Sequence, residues 1–290
     1  MWLTIITYSN TKFPQIPATT CDPDVKIVPV AIRTDNYAYL IIDKVTQEAA
    51  VVDPSGSPLT FSGSFPFEWL TTPSPPFPMC TPQKPDPKAV LDTLAVEGDE
   101  VKLTAILTTH KHWDHSAGNA RLLKLFPTLR VYGSAIDATP SANQKVYDGD
   151  EIRVGRLLFR GLESRVHTKG HILYLLDQPG SSHPPALFSG DAVFIAGAGR
   201  FFESTAAEFY QLVQRLGKLN PLTTLFPGHE YALANLKFAE TLDQNNSVLQ
   251  AKLGAVRALR ATGLSTTPST LQEEFLYNPF FRSSDPRLPR

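Results

Sequence analysis

Three of the seven histidines and one aspartate fall within six consecutive positions, in the segment His110-Lys-His112-Trp-Asp114-His115. Three adjacent imidazoles repel one another when protonated, so a metal site explains this density better than a structural role does. Side chains two apart at a strand end, such as His110 and His112, point the same way. The following loop can turn Asp114 and His115 toward a second position. The segment therefore predicts a metal-binding loop with room for two neighbouring ions.

A catalytic metal site needs ligands beyond this segment. The candidates are His167 and His171 in V-H-T-K-G-H, Asp191 in L-F-S-G-D and His229 in P-G-H-E-Y, whereas His183 lies in a Ser- and Pro-rich turn typical of an exposed residue. The glycines beside Asp191 and His229 allow the backbone to approach closely. Imidazole and carboxylate donors without thiolate suit zinc, iron or manganese.

Alternating and continuous apolar runs predict two layers of sheet flanked by helices. Residues 25–53 contain three such runs, with a turn at Asp35 and Asn36 between the first two. L-T-A-I-L-T-T-H reads as a buried strand that leads to His110. The later strand candidates and one amphipathic helix have the sequences LRVYGS, RLLFRGL, HILYLL, ALFSGD and TAAEFYQLVQRLGKL.

Changes of composition divide the chain. Residues 54–87 hold ten of the twenty-five prolines, which favours a flexible insertion over a lid or partner-binding loop. Residues 1–24 are expected to be an N-terminal extension, and 25–228 the main domain. Beyond Gly228 the spacing is helical with no strand signal, so 229–290 is expected to be a small helical domain.

Composition also excludes several classes of protein. A net charge of −1 offers no general attraction to nucleic acid or to acidic membranes. No apolar run is long enough to span a membrane, and the start lacks the pattern of a secretory signal. Only two cysteines occur, Cys21 and Cys80, so a disulfide framework is not expected and a reducing compartment is.

Four motifs occur together in one order. They are T-H-x-H-W-D-H at 109–115, H-T-x-G-H at 167–171, F-S-G-D at 188–191 and G-H-E-Y at 228–231. In these motifs the chain resembles the glyoxalase II (hydroxyacylglutathione hydrolase) branch of the metallo-β-lactamase superfamily, over about residues 25–53 and 87–282. The resemblance implies an α+β fold, the αβ/βα four-layer sandwich, with a small helical C-terminal domain.

The resemblance also implies two divalent metal ions, zinc or else iron or manganese. Its ligand assignment is His110, His112 and His167 for one ion, Asp114, His115 and His229 for the other, and Asp191 as a bridge. A hydroxide held by the two ions would attack a thioester carbonyl, while Asp114 orients the hydroxide and takes its proton. His171 and Asp53 would support the ligands by hydrogen bonds; an ordinary buried histidine and a turn-forming aspartate are the alternatives.

The substrate implied by the resemblance is an S-(2-hydroxyacyl)glutathione, chiefly S-lactoylglutathione. The family loop G-x-G-[KR]-x-[FY]-E, here residues 197–203, offers Arg200 and Phe202 as contacts, and Tyr231 matches a further contact. The family continues past N-P-F-x-R to basic residues that bind the glutathione carboxylate. This sequence stops soon afterwards, so Arg282 is the expected replacement, with Arg287 or Arg290 as alternatives.

Two other readings share the fold. One is a mononuclear-iron persulfide dioxygenase, which would differ from the hydrolase in binding one metal ion per chain. The other is a non-catalytic interaction protein, in which some of the metal-ligand residues would be replaced. The sequence favours the hydrolase. It is expected to act on a small-molecule glutathione thioester, without nucleic-acid or membrane partners, as a monomer in the cytoplasm or alternatively the mitochondrion.

Overall fold

The computed structural model describes residues 22–56, 87–178 and 180–288. The segment predicted as a proline-rich insertion, 54–87, therefore lies almost wholly outside the described residues, as do most of the expected N-terminal extension and both cysteines. The described residues form two six-stranded sheets, a two-stranded hairpin and seven helices.

The first sheet comes from the first half of the chain. Its strands are β1 (Val25–Ile32), β2 (Asn36–Asp43), β3 (Glu48–Val52), β4 (Lys102–Leu107), β5 (Arg130–Ser134) and β6 (Gln144–Val146), in that order. The first three pair antiparallel, and β3 to β6 pair in parallel. Parallel neighbours need crossover connections. Helix α1 (Lys88–Glu97) supplies one between β3 and β4, and α2 (Trp113–Ser116) with α3 (Asn119–Leu125) supplies the next.

The second sheet comes from the second half. Its strands are β7 (Glu151–Val154), β8 (Leu157–Glu163), β9 (Ile172–Leu176), β10 (Ala186–Gly190), β13 (Thr224–Pro227) and β14 (Ser269–Thr270), in the order β14-β13-β10-β9-β8-β7. The hairpin strands β11 (Val193–Phe194) and β12 (Gly197–Ala198) follow β10. Helix α4 (Ala206–Leu216) then crosses over, so β13 joins β10 in parallel.

Alternation along the strands sorts the apolar side chains into three layers. In β2, Tyr39 and Ile41 face the second sheet, while Leu40 and Ile42 pack toward α1 and α3. In the second sheet, alternate residues of β9 pack instead against Phe209 and its neighbours on α4. Full burial of such side chains contributes about 1.5–3 kcal/mol each. The order helix, sheet, sheet, helix confirms the predicted α+β class and αβ/βα sandwich.

Three helices follow β13. They are α5 (Ala232–Leu242), α6 (Ser247–Ala261) and α7 (Leu271–Tyr277). Leu236, Leu253 and Tyr277 form a separate small core with Ile195, next to the hairpin. Among the described residues, no helix is long and apolar enough to cross a membrane.

The expectation of no strand beyond Gly228 is wrong at one place. Ser269 and Thr270 form β14, which pairs antiparallel with β13. Thr270 also caps α7, where its hydroxyl accepts from the backbone of Glu273 in a capping box. Two extended residues are too few for a sequence period to be visible, so only their pairing with β13 shows that they belong to a sheet.

Candidate metal centre

Five loops meet at one end of the two sheets. They are the segments 108–112 after β4, 164–171 before β9, 190–192 after β10, 228–231 after β13, and residue 53 after β3. Both sheets therefore contribute side chains to one site, as is usual for loops placed by a rigid scaffold.

His110 lies in a loop and not at a strand end. β4 ends at Leu107, so the predicted strand leading to His110 is too long. Asp53 binds the residues that follow β4: Thr109 N donates to Asp53 Oδ1 at 2.8 Å, and Thr109 Oγ1 donates to Asp53 Oδ2 at 2.7 Å. The chain then turns into α2, which carries Asp114 and His115.

Three imidazoles form the first donor group. His112 Nδ1 lies 3.0 Å from His110 Nε2 and 3.0 Å from His167 Nε2. His167 has a φ of 68°, in the left-handed region that side-chain-bearing residues seldom adopt. Three ring nitrogens that converge from two different loops match the ligands of a single cation.

A carboxylate and two imidazoles form the second donor group. Asp114 Oδ2 lies 3.5 Å from His229 Nε2 and 3.7 Å from His115 Nε2. The three donor atoms lie within 4.8 Å of one another. His115 and His229 are buried, and Asp114 is partly exposed, so this group is open on the side of the carboxylate.

Asp191 lies between the two groups. Its Oδ2 atom is 3.5 Å from His167 Nε2 and 3.4 Å from His229 Nε2, and its Oδ1 atom is 3.3 Å from His115 Nε2. The carboxylate thus contacts nitrogens of both groups.

Mutual charges set the protonation of these residues. Burial would raise the pKa of Asp191, but the imidazoles of His115 and His229 hold it well below its usual range. Burial would lower the pKa of His115, yet Asp191 and Asp53 hold it well above. For His110, burial and then the charge of His115 lower the pKa. Asp191 and His110 are therefore in the states that bind a divalent cation, whereas His115 would release its proton when a cation binds.

Two polar atoms at the middle of the site support a cation there. His115 Nε2 and Asp191 Oδ1 are buried and have no hydrogen-bond partner among the described residues. They lie 3.3 Å apart, so their charges attract each other, but they form no hydrogen bond. Buried polar atoms without partners are costly, and a cation between them would satisfy both. The residues present therefore fit a divalent metal with nitrogen and oxygen ligands.

Asp53 and His171 contact donor residues without belonging to either donor group. Asp53 Oδ2 lies 2.9 Å from His115 Nδ1. His171 stacks on His110 with ring centres 4.9 Å apart, and its Nε2 accepts from the backbone N–H of Asp191 at 3.1 Å. Each contact restrains the orientation of a donor side chain, as partners of metal ligands generally do.

Glycines let the backbone pass close to the donors, as predicted. A Cβ on Gly228 would lie 2.6 Å from Asp191 Oδ1 and 2.7 Å from a carbon of the His115 ring. A Cβ on Gly190, which has a φ of 48°, would lie 2.5 Å from Thr109 Oγ1. A side chain at Gly228 would push a donor out of place, and one at Gly190 would displace Thr109, which Asp53 holds next to His110.

Comparisons with known proteins identify the family. A family model described as the metallo-beta-lactamase superfamily matches residues 34–229, and one described as the hydroxyacylglutathione hydrolase C-terminus matches residues 230–290. A relative from Arabidopsis thaliana, named hydroxyacylglutathione hydrolase cytoplasmic, is 38% identical over 265 residues, 91% of this chain and 90% of the relative. The chain belongs to the hydroxyacylglutathione hydrolase (glyoxalase II) family of the metallo-β-lactamase superfamily.

Solved structures show the same fold. ETHE1 from Myxococcus xanthus matches with a TM-score of 0.57 and 25% identity, covering 91% of this chain and 92% of its own. A metallo-beta-lactamase from Staphylococcus aureus subsp. aureus COL matches with a TM-score of 0.56 and 20% identity, covering 88% of this chain and 64% of its own. At that identity the second likeness concerns the fold alone.

These matches confirm the resemblance to glyoxalase II and the prediction of a hydrolase of this superfamily. The predicted binding of divalent metal is confirmed as a property of the fold and its donor groups. The family models give no support to the two alternative readings, the persulfide dioxygenase and the non-catalytic interaction protein.

Three of the four residues expected to bind substrate in this glyoxalase II relative lie beside the donor groups. The Phe202 ring centre is 5.2 Å from that of His167, and the Arg200 guanidinium lies 4.9 Å from the Phe202 ring. Tyr231 stacks on His229 with ring centres 4.7 Å apart, and burial raises the pKa of its hydroxyl to about 12. The tyrosine therefore stays a hydrogen-bond donor at neutral pH.

Arg282, the fourth residue, is engaged elsewhere. Its guanidinium is mostly buried and forms ion pairs with Asp243 and with Asp285, the latter at 2.8 Å. Arg287 also binds Asp285. An arginine that already has two carboxylate partners is not free to bind a substrate carboxylate, so the structure gives no support to Arg282 as the glutathione anchor. Arg290 lies outside the described residues.

Two further residues of this site are not apparent from the sequence pattern, which indicates only a turn at Asp35 and Asn36. Asn36 Nδ2 donates to Asp114 Oδ2 at 3.1 Å, and Asp35 Oδ1 lies 3.2 Å from His229 Nδ1. Asn36 is buried at the first position of β2, directly before the apolar run YAYLII. A buried amide in such a place is the one signal that could have indicated a polar partner.

Proposed function

We propose that this chain hydrolyses the thioester of an S-(2-hydroxyacyl)glutathione, such as S-lactoylglutathione, to a hydroxy acid and glutathione. The position of Asp191 supports the proposal most directly, because its carboxylate lies within 3.5 Å of nitrogens from both donor groups. The activity is assigned to a monomer in the cytoplasm, the compartment in the name of the Arabidopsis relative.

The proposed ligands make a site for two divalent ions, zinc or else iron or manganese. One set is His110, His112 and His167, the other is Asp114, His115 and His229, and Asp191 is shared. When bound, such a pair of ions lowers the pKa of water and polarises a carbonyl group. The absence of thiolate among the donors agrees with a hydrolytic site that uses nitrogen and oxygen ligands.

Asp114 is the proposed acceptor for the proton of the attacking water. Burial would raise its pKa, but His229 and His115 hold it below the usual range. The carboxylate is therefore ionised at neutral pH, which is the state that a proton acceptor requires. Asn36 fixes its orientation through a hydrogen bond to Oδ2.

Residues on either side of the donor groups hold the rest of the substrate. Arg200 suits a carboxylate or a peptide carbonyl, Phe202 provides an exposed apolar wall, and the Tyr231 hydroxyl can donate to the glycine part of glutathione. The leaving thiolate needs no separate acid, because it is stable as the anion.

Metal analysis combined with turnover tests the proposal. We expect two metal equivalents per chain, and a kcat/KM for S-lactoylglutathione at least about tenfold above that for S-lactoyl-N-acetylcysteamine, which shares only the acyl thioester. Equal efficiency on both would remove glutathione as the substrate. One iron per chain with oxygen consumption on glutathione persulfide would favour the dioxygenase instead.

A further inference from the structure

Arg33 and Trp113 form a cation–π pair at the edge of the metal centre. The guanidinium carbon of Arg33 lies 4.0 Å from the centre of the Trp113 ring. Trp113 is 58% exposed and opens α2, whose next two residues are the donors Asp114 and His115. The guanidinium is therefore stacked beside the second donor group.

The two residues that come shortly after Arg33, Asp35 and Asn36, contact the second donor group. Asp35 contacts His229, and Asn36 donates to Asp114. Arg33 itself has a φ of 58°, in the left-handed region. Backbone in this region is uncommon for residues with side chains and is found often at binding sites. The position of Arg33 is thus set by the surrounding site.

No carboxylate among the described residues pairs with Arg33. Its Nη1 atom is buried and has no hydrogen-bond partner there. The arginines of the C-terminal segment differ, since Arg282 and Arg287 both bind Asp285. A guanidinium that stacks on an aromatic ring and has no carboxylate partner, at the mouth of a site, favours an anionic ligand.

We propose that Arg33 binds a carboxylate of the substrate on the side of the site opposite Arg200. This inference rests on the proposed function. Arg200 belongs to the side of His167, whose Nδ1 lies 2.9 Å from the Arg200 carbonyl oxygen, whereas Arg33 belongs to the side of Asp114. Glutathione carries its sulfur on the middle residue and a carboxylate at each end. A thioester held at the donor groups therefore extends its two carboxylates to either side, where a guanidinium can bind each one with paired hydrogen bonds.

Kinetics of Arg33→Gln on two thioesters test the inference. For S-lactoylglutathione we expect KM to rise about tenfold, the loss of one charge-assisted contact, with kcat within twofold of wild type. For the neutral S-lactoyl-N-acetylcysteamine, which has no carboxylate, we expect no change. Arg33→Lys should recover part of the affinity. Arg153→Gln, which removes an exposed arginine from β7, is the matched control and should change neither constant.

A third substrate identifies the carboxylate. S-lactoyl-N-acetylcysteinylglycine keeps the glycine carboxylate and lacks the γ-glutamyl one. If Arg33→Gln also raises KM for this third substrate, Arg33 binds the glycine carboxylate. If KM for it is unchanged, Arg33 binds the γ-glutamyl carboxylate.

Two results would show that Arg33 only supports Trp113 and would overturn the inference: an equal loss of catalytic efficiency on the charged and the neutral thioester, or a loss of bound metal. An unchanged KM for S-lactoylglutathione would overturn it too. Failure of the proposed function is seen separately, in wild type, as equal efficiency on the two thioesters.

Discussion

Asp191 is the residue whose removal most directly tests the proposed two-metal site. Its carboxylate contacts His167, His115 and His229. In Asp191→Asn one oxygen becomes an amide nitrogen that cannot bind metal, and the negative charge between the two groups is lost. We expect one of the two metal equivalents to dissociate and turnover to fall by roughly 100-fold or more. Metal analysis of the purified variant, with kcat on S-lactoylglutathione, measures both.

The control for this substitution is Asp99→Asn, in the exposed turn after α1. It makes the same chemical change far from any donor and should leave metal content and kcat at wild-type values. Retention of two metals by Asp191→Asn would contradict the assignment of Asp191 as the bridge.

At the scale of structural elements, Lys111 and Glu203 connect three loops of the site. Lys111 Nζ lies 2.7 Å from Glu203 Oε1, and the backbone N–H of Lys169 donates to Glu203 Oε2 at 3.1 Å. The hydrogen bond to Glu203 raises the pKa of Lys111, so the pair is charged at neutral pH. The loop with Arg200 and Phe202 is thereby tied to the loops that carry the histidine donors.

A double-mutant cycle measures this connection. Both side chains are about one-third exposed, so the pair is expected to contribute about 0.5–1 kcal/mol. Lys111→Met and Glu203→Gln should each raise KM for S-lactoylglutathione by about two- to fivefold, with unchanged metal content. Either change loosens the loop that holds Arg200 and Phe202, the proposed substrate contacts.

Both substitutions remove the Lys111–Glu203 contact, and Lys111→Met also removes the contact of Lys111 with Asp137 at 3.7 Å. The double variant should therefore be no worse than Lys111→Met. Arg257→Gln, which breaks a partly exposed pair with Glu240 between α6 and α5, serves as control and should leave KM unchanged. Strictly additive effects of the two substitutions would refute a direct connection.

At the scale of the whole molecule, Glu274 joins the C-terminal helices to the sheet that carries the site. This buried carboxylate accepts from Ala196 N in the hairpin turn at 2.8 Å, from Ser269 Oγ of β14 at 2.6 Å, and from the Tyr277 hydroxyl of α7 at 2.7 Å. Burial raises its pKa, although these hydrogen bonds act in the opposite direction. The small helical core is therefore fixed to the hairpin through one titratable group.

The raised pKa gives stability a defined dependence on pH. Folded protein binds this proton more tightly than unfolded protein, so the contribution of Glu274 is full below the ordinary glutamate pKa of about 4.3 and is lost as pH rises through the folded pKa. Glu274→Gln does not titrate. The unfolding free energy of wild type minus that of the variant should therefore fall as pH rises above about 4.3. Urea unfolding at several pH values checks this, and exposed Glu100→Gln should show a constant difference. A difference that rises with pH would contradict the raised pKa.

Much of the fold follows from local pattern. The continuous apolar runs of β2, β9 and β10 predict their strands, because residue type and run length are local properties of the sequence. The capping box at Thr205 and Glu208 likewise marks the start of α4. β14 escapes such reasoning, since two residues carry no period and their pairing partner lies more than forty residues away in β13.

Sequence by itself determined the kinds of donor, their grouping in motifs and the family, because adjacent ligands and strand patterns are written locally in the chain. Only the tertiary structure decided which distant residues meet them. Asn36 reaches Asp114 across 78 positions, and Asp53 reaches His115 across 62. It also decided that Arg282 binds Asp243, 39 positions away, while Arg33 stacks on Trp113 and pairs with no carboxylate among the described residues. An arginine has the same chemistry in either role, and which carboxylate lies within its reach is set by how the sheets and helices pack.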